Sequence, residues 1–208
     1  MNKELAEFVG LMAGDGCLST SGSKHLIYIS GHKHDDKEYH DTTTRKLLKE
    51  LFNKEILIQF RKGEQTLFIR FSDAVIFNEM RKYLPIGKKY QEICVPKSIS
   101  INKDFFFAFI RGLADTDGCV IFSKQHRDYP YYPRIEISSK SKTFLESILH
   151  LLKTHKFYGS VSRKGGDCFR LELPGKKNLE KWLFLIGFHN KKHLDKIKTP
   201  QTRYSCHE

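Results

Sequence analysis

Phe8-Val9-Gly10-Leu11-Met12-Ala13-Gly14-Asp15-Gly16 and Ile110-Arg111-Gly112-Leu113-Ala114-Asp115-Thr116-Asp117-Gly118 are two versions of one pattern. Each is an apolar helical run that ends in aspartate, glycine and then cysteine, Cys17 or Cys119. A helix that delivers a carboxylate to its own C-terminal end, twice in one chain, can bring two acids to one point. A helix C-terminus is already partly negative, so two carboxylates there are unfavourable unless a hard cation joins them. Magnesium suits such a place, because it takes carboxylates, exposed carbonyls, water and a substrate phosphate. Ions of this kind position water and stabilise the leaving oxygen when a phosphodiester is attacked in line. One copy alone would read as an ordinary turn acid; two copies in register point to a metal site made by Asp15 and Asp117.

The elements that position these acids follow from the repeat. Gly10 and Gly14 lie on one helical face, and Gly112 is the second copy's counterpart of Gly10, so two backbones can approach closely there. Gly16 and Gly118 give the permissive backbone needed to leave the helix and start a strand. The duplication continues beyond the nonamers: Arg61-Lys62-Gly63 recurs as Arg163-Lys164-Gly165, Leu67 to Phe71 recurs as Phe169 to Leu173, and Gly87-Lys88-Lys89-Tyr90 recurs as Asn190-Lys191-Lys192-His193. The chain is therefore expected to be two units, 1–100 and 101–208, joined near Lys97 to Asp104. Each has the order αββαββα. Helices are predicted over 3–14 and 104–116 (the latter capped by Asp104), 35–52 and 141–155, and 73–84 and 176–187. Strands are predicted at Lys24 to Ser30 and Arg134 to Ser138. Two hairpins are also predicted, Ile56 to Lys62 with Thr66 to Phe71 and Ser160 to Lys164 with Cys168 to Leu173. The expected fold class is α+β: two pseudo-symmetric units forming a saddle of antiparallel sheets, with the motif helices packed at the centre.

Period-2 alternation gives each sheet an apolar and a mixed face. Ile56, Ile58 and Phe60 oppose Gln59 and Arg61; Leu67, Ile69 and Phe71 oppose Thr66, Phe68 and Arg70; Ile135 and Ile137 oppose Arg134, Glu136 and Ser138; Phe169, Leu171 and Leu173 oppose Arg170 and Glu172. Arginine suits two-pronged contacts to guanine and phosphate better than a plain solvated face requires. The net charge of +12 and the pI near 9.4 agree with a polyanionic partner. A hydrophobic content of 39% indicates a globular chain, and no apolar run approaches the roughly 20 residues of a membrane span. The five cysteines, Cys17, Cys94, Cys119, Cys168 and Cys206, form no C-x-x-C pair, which argues against a disulfide framework or zinc ribbon and fits a reducing, intracellular compartment. His25, His32, His34 and His40 crowd one region without a suitably spaced cysteine, so zinc is not expected.

The two nonamers resemble those of the LAGLIDADG homing endonucleases in their single-chain, two-motif form, and the repeat order extends the resemblance over essentially the whole chain. Gly112, Leu113, Asp115, Asp117 and Gly118 fall on the pattern; the first copy departs from it at Phe8, Ala13 and Gly14 but keeps Asp15. The resemblance implies cleavage of double-stranded DNA at a long site, with saddle-shaped sheets in the major groove. It also implies a monomer whose carbonyls at Gly14 and Thr116 face the metal beside Asp15 and Asp117. The ion would be Mg²⁺, with Mn²⁺ substituting and Ca²⁺ binding without efficient cleavage. A basic residue after each unit's last helix would organise water or phosphate: Lys88 and Lys191 are the better-aligned choices, Lys89 and Lys192 close competitors. The expected DNA contacts are Lys24, Tyr28, Ser30, Arg61, Arg70, Lys124, Arg134, Glu136, Ser138, Lys140, Arg163 and Arg170. Tyr129, Tyr131 and Tyr132 fall in a longer connection beside the reading face, and Trp182 reads as core. The rival reading is a binding protein of the same fold, an intron RNA maturase or a non-cleaving DNA-binding regulator, which would serve host intron RNA or DNA without hydrolysis. Met1 leading directly into the fold favours a free-standing or intron-encoded protein.

Overall fold

The computed structural model describes residues 1–123 and 131–199. Lys124, Tyr129, Pro130 and Cys206 lie outside them.

The first unit opens with α1 (Lys3–Gly14), begun by Asn2, whose Oδ1 accepts from Leu5 N at 2.9 Å. Strands β1 (Gly16–Ser21) and β2 (Lys24–His32) follow, then α2 (Lys37–Tyr39), a π-helical turn (His40–Thr44) and α3 (Arg45–Phe52) in one continuous run. Asn53 closes that run in the left-handed conformation at φ 51°. Next come β3 (Ile58–Phe60), β4 (Thr66–Ser72) and α4 (Ala74–Met80), which Asp73 caps by accepting from Val75 N and Ile76 N. A 3₁₀ turn (Lys89–Gln91) and the short α5 (Lys97–Ser100) lead into α6 (Lys103–Asp117). The second unit repeats the order with β5 (Gly118–Ser123), β6 (Tyr132–Ser139), α7 (Lys142–Thr154), β7 (Ser160–Gly165), β8 (Cys168–Pro174), α8 (Lys176–Leu185) and α9 (Lys191–Lys198).

The fold is α+β, with two antiparallel sheets of matching order, β1-β2-β4-β3 and β5-β6-β8-β7. Leu67 and Ile69 of the first sheet and Ile135, Ile137, Leu171 and Leu173 of the second are buried against helices, so these apolar faces predicted by alternation are core faces, and Ile27 and Ile29 of β2 are buried with them. Trp182 is fully buried there, ring to ring with Phe157 and Phe188.

One expectation is corrected. The cap of α6 is Asn102, whose backbone is extended and whose side-chain oxygen accepts from Asp104 N and Phe105 N; Asp104 instead lies in the first turn and pairs with Lys3 at 2.9 Å. β7 pairs with β8 one residue out of step with the pairing of β3 and β4, so Arg163 falls opposite the core-side residue Phe169, and a bulge between Arg163 and Gly165 follows. Lys164, the next residue, faces outward, where Nζ donates to Ser138 Oγ at 2.9 Å.

Candidate metal centre and nucleic-acid interface

The centre of the molecule is the crossing of α1 and α6, and small residues set its closeness. A Cβ on Gly10 would stand 1.9 Å from Phe109 O, and one on Gly112 would stand 2.2 Å from Glu7 O, so each helix lays its backbone against the other. At the ends of the helices, a Cβ on Gly14 would meet Thr116 Oγ1 at 2.0 Å and Asp117 Cγ at 3.5 Å. The Asp117 carboxyl therefore lies against the residue preceding Asp15. Both carboxyls are pushed above the ordinary range by burial; Asp15 is raised further by Asp117 and Asp36, while Lys89 and Lys192 oppose the rise in both. Two acids that resist ionising together are in the state that a divalent cation would reverse.

The donor set fits a hard cation. Lys89 Nζ donates to Gly14 O, to Met12 O at 3.2 Å and to Gly16 O at 2.8 Å, so an ammonium group already sits at the carbonyl end of α1. Burial depresses the Lys89 pKa, and Asp117 and Asp15 partly offset this. In the second unit Lys192 Nζ donates to Asp36 Oδ1 at 2.7 Å and Thr116 O at 3.5 Å. Lys88 is exposed and Lys191 pairs with Glu38 at 3.4 Å on the surface. In both units the lysine at the acids is thus one residue beyond the better-aligned candidate, at the first residue of the 3₁₀ turn or the second of α9. A cleft of about 320 Å³ opens here, lined in part by Asp117, Lys89, Ser138 and Lys140.

Sequence reasoning missed the polar seam that ties the units together. Asp36 accepts from His32 N at 2.7 Å, Asn190 Nδ2 at 2.9 Å and Lys192 Nζ, and these bonds outweigh burial to keep its carboxyl below the usual range. Asn190 also donates from N to Asp115 Oδ1 and from Nδ2 to Asp115 O. Asp115 is pushed up to about 7 by burial, against backbone bonds from Asn190 and His189. Glu7 receives Arg111 Nη2 at 2.5 Å and contacts His189 Nδ1 at 2.6 Å; burial works against its charge, but these partners hold it below the carboxylate range. Ligand atoms of Glu7, Asp115 and His189 lie within 4.8 Å of one another. The Arg111 guanidinium already neutralises Glu7, however, so this cluster is an ion-pair network. Its partners are too distant in sequence for any local pattern to announce them.

On the outward faces, Tyr28 and Arg70 stand opposite each other, Tyr28 stacks on Phe68 at 5.6 Å, and Arg61 Nη2 donates to Tyr28 Oη at 3.2 Å. Lys24 is exposed, and Ser30 serves the centre, with N and Oγ donating to Asp15 O. In the second sheet Arg134 reaches Glu172 at 3.4 Å and Arg170 reaches Glu136 at 3.4 Å. Glu136 is outward as expected yet buried, because Arg170 lies over it.

Residues 104–187 match the sequence model of the LAGLIDADG-like domain. The chain is 26% identical over 201 residues to the replication factor C small subunit of Methanocaldococcus jannaschii, a match that takes in 94% of this chain. It spans about a tenth of that relative's length. Among solved structures, the fold is similar to the homing endonuclease I-DmoI in complex with DNA and Mn, at TM-score 0.63, with 21% identity and coverage of 89% of this chain and 96% of that one. It is similar also to the N-terminal LAGLIDADG domain of DUF199/WhiA, at TM-score 0.60, with 18% identity and coverage of 91% and 84%. The architecture is therefore that of the LAGLIDADG fold.

Proposed function

We propose that the protein is a metal-dependent endonuclease that cuts double-stranded DNA at a long, specific site as a monomer. The observation that carries this reading is the pair of half-buried, mutually opposed carboxylates, Asp15 and Asp117, at the seam between two sheets whose outward faces bear arginine. On this reading Asp15 and Asp117, with the carbonyls of Gly14 and Thr116, hold the cation. Mg²⁺ bound there would make a coordinated water a better nucleophile and offset charge on the leaving oxygen. Mn²⁺ would substitute, and Ca²⁺ would support binding without efficient cleavage. The chain's own groups supply the rest. Lys89 and Lys192 bring ammonium groups to the two helix ends, where a scissile phosphate of each strand would need its charge matched. Lys140, at the cleft beside Asp117, would hold the adjoining backbone. Arg61, Arg70, Arg134 and Arg170 would fix register and read bases from the major groove.

The test is cleavage of a randomised duplex library by the wild type and by the Asp15→Asn and Asp117→Asn variants, in Mg²⁺, in Ca²⁺ and with chelator. One long site, cut only with Mg²⁺ and spared by either variant, supports the endonuclease. Tight binding to a site without a break in any metal would replace it with the non-cleaving regulator. Specific binding to intron RNA without a DNA break would replace it with the maturase.

A further inference from the structure

The two outward faces are built on equivalent strands, yet their chemistry is opposite. Cys17, Tyr28 and Arg70 form a row across β1, β2 and β4, and the matching row across β5, β6 and β8 is Cys119, Glu136 and Glu172. The next row pairs Ser30 with Phe68 in the first sheet and Ser138 with Arg170 in the second. An arginine has thus become a glutamate at one position, and an aromatic ring has become an arginine beside it. The outward positions of β1 to β4 carry no carboxylate.

Two glutamates directly opposed on neighbouring strands repel each other. Here they are bridged: Arg170 reaches Glu136 at 3.4 Å and Glu172 at 3.7 Å, and Arg134 reaches Glu172 at 3.4 Å. The four side chains make a neutral grid with alternating donors and acceptors. In the major groove, guanine presents the acceptors O6 and N7 that arginine takes two at a time, and cytosine presents the N4 amino group, a donor that a carboxylate takes. Neighbouring arginine and glutamate therefore match the two halves of a G·C pair. At an A·T pair the same glutamate would also face the thymine O4 acceptor and methyl group. The first sheet offers the reverse: Leu26, Tyr28 and Phe68 outward, with Tyr28 and Phe68 stacked and Arg61 lying 5.9 Å over the Phe68 ring. Apolar and aromatic surface suits thymine methyl groups, and the Glu64 carboxylate of the β3–β4 turn is matched by Arg61 at 3.5 Å.

We infer that the DNA target is chemically two-sided: G·C pairs lie under the Arg134–Glu172–Arg170–Glu136 grid, and thymine-rich steps lie under the Tyr28–Phe68 platform. This rests on the proposed endonuclease reading.

Randomised duplexes are selected for binding in Ca²⁺ and sequenced, using the wild type, Glu136→Gln/Glu172→Gln and Tyr28→Ala/Phe68→Ala. The expected result is one site whose two halves differ in composition. The glutamine pair should relax G·C preference by about tenfold or more at a few positions in one half. The alanine pair should relax thymine preference in the other half only. A recovered site with like halves, or a glutamine pair that leaves the selected site unchanged, overturns the inference and leaves the endonuclease reading standing. Recovery of no specific duplex overturns both.

Discussion

Lys89 and its neighbour Lys88 differ by one position, and the fold gives them different surroundings. Lys89 Nζ touches three carbonyls at the end of α1, while Lys88 points to solvent. If Lys89 matches charge at a scissile phosphate, Lys89→Met should lower the single-turnover rate of strand cutting in Mg²⁺ by roughly 100-fold or more, while Lys88→Met stays within a few-fold. Equal losses in both variants would assign the two lysines a general attraction for DNA. A second residue-scale prediction concerns His40 and His193. Burial lowers the pKa of His40 to about 4 and of His193 to about 3, each from 6.5. His40 Nδ1 lies 2.9 Å from Thr44 Oγ1, but its Nε2 and both ring nitrogens of His193 have no partner among the described residues. Asp36 favours and Lys192 opposes the charged form of both. Because the folded-state pKa is depressed, the unfolded chain binds protons first. The contribution of these histidines is fully present above about pH 6.5 and is lost progressively as pH falls toward 4 and then 3, while the raised carboxyls of Asp15, Asp115 and Asp117, which the folded chain protonates first, act in the opposite sense over the same range. The histidine part is therefore read as a difference: in thermal melts between pH 7.5 and 4, His193→Leu should gain stability relative to the wild type as pH falls. Neither lysine phase nor histidine burial is readable from a linear pattern: the first depends on where a 3₁₀ turn begins, the second on packing of α9 against Phe188 at 4.7 Å from His193.

The helices and strands were legible to the degree that their pattern was local. Alternation in β4, β6 and β8 placed the core faces correctly, because a residue's neighbour across the pleat is fixed by period 2. The repeat is not exact at Arg163, because β7 pairs with β8 one residue out of step with the pairing of β3 and β4, so that a matched Arg-Lys-Gly triplet presents arginine outward in one unit and lysine in the other. The glycines of α1 and α6 were legible as a close contact, and the structure makes that contact demanding. Gly10→Ala or Gly112→Ala would place a methyl carbon 1.9 or 2.2 Å from a carbonyl oxygen of the facing helix, so the helices must separate. Each should destabilise the protein by at least about 1–3 kcal/mol. Val75→Ala at an exposed position of α4 should stay within about 0.5 kcal/mol. Chemical denaturation of the three variants checks this, and a neutral Gly112→Ala would mean that the crossing is looser than the geometry requires.

At the scale of the whole molecule, the duplication made the paired acids visible, but the two units are held together by residues that break the duplication. Glu7 corresponds to Phe109 and Arg111 to Val9, so the ion pair between α1 and α6 has no twin across the pseudo-two-fold. The same holds for Asp115, which stands where the first copy has Ala13, and for Asn190, which stands where it has Gly87. The seam is therefore one-sided, and its cost and benefit can be separated. Glu7 is nearly fully buried and keeps its charge because Arg111 and His189 meet it. Arg111→Met leaves that charge facing His189 alone and should cost about 3–5 kcal/mol, the usual penalty for breaking a buried pair from one side. Glu7→Gln should cost less, because it removes the group whose burial is expensive. The double variant should be more stable than the sum of the two single losses predicts, giving a coupling energy well above about 0.5 kcal/mol in denaturant titrations. Additive losses would show that α1 and α6 are joined by their apolar and glycine contacts alone, with the ion pair contributing nothing to the union of the two sheets.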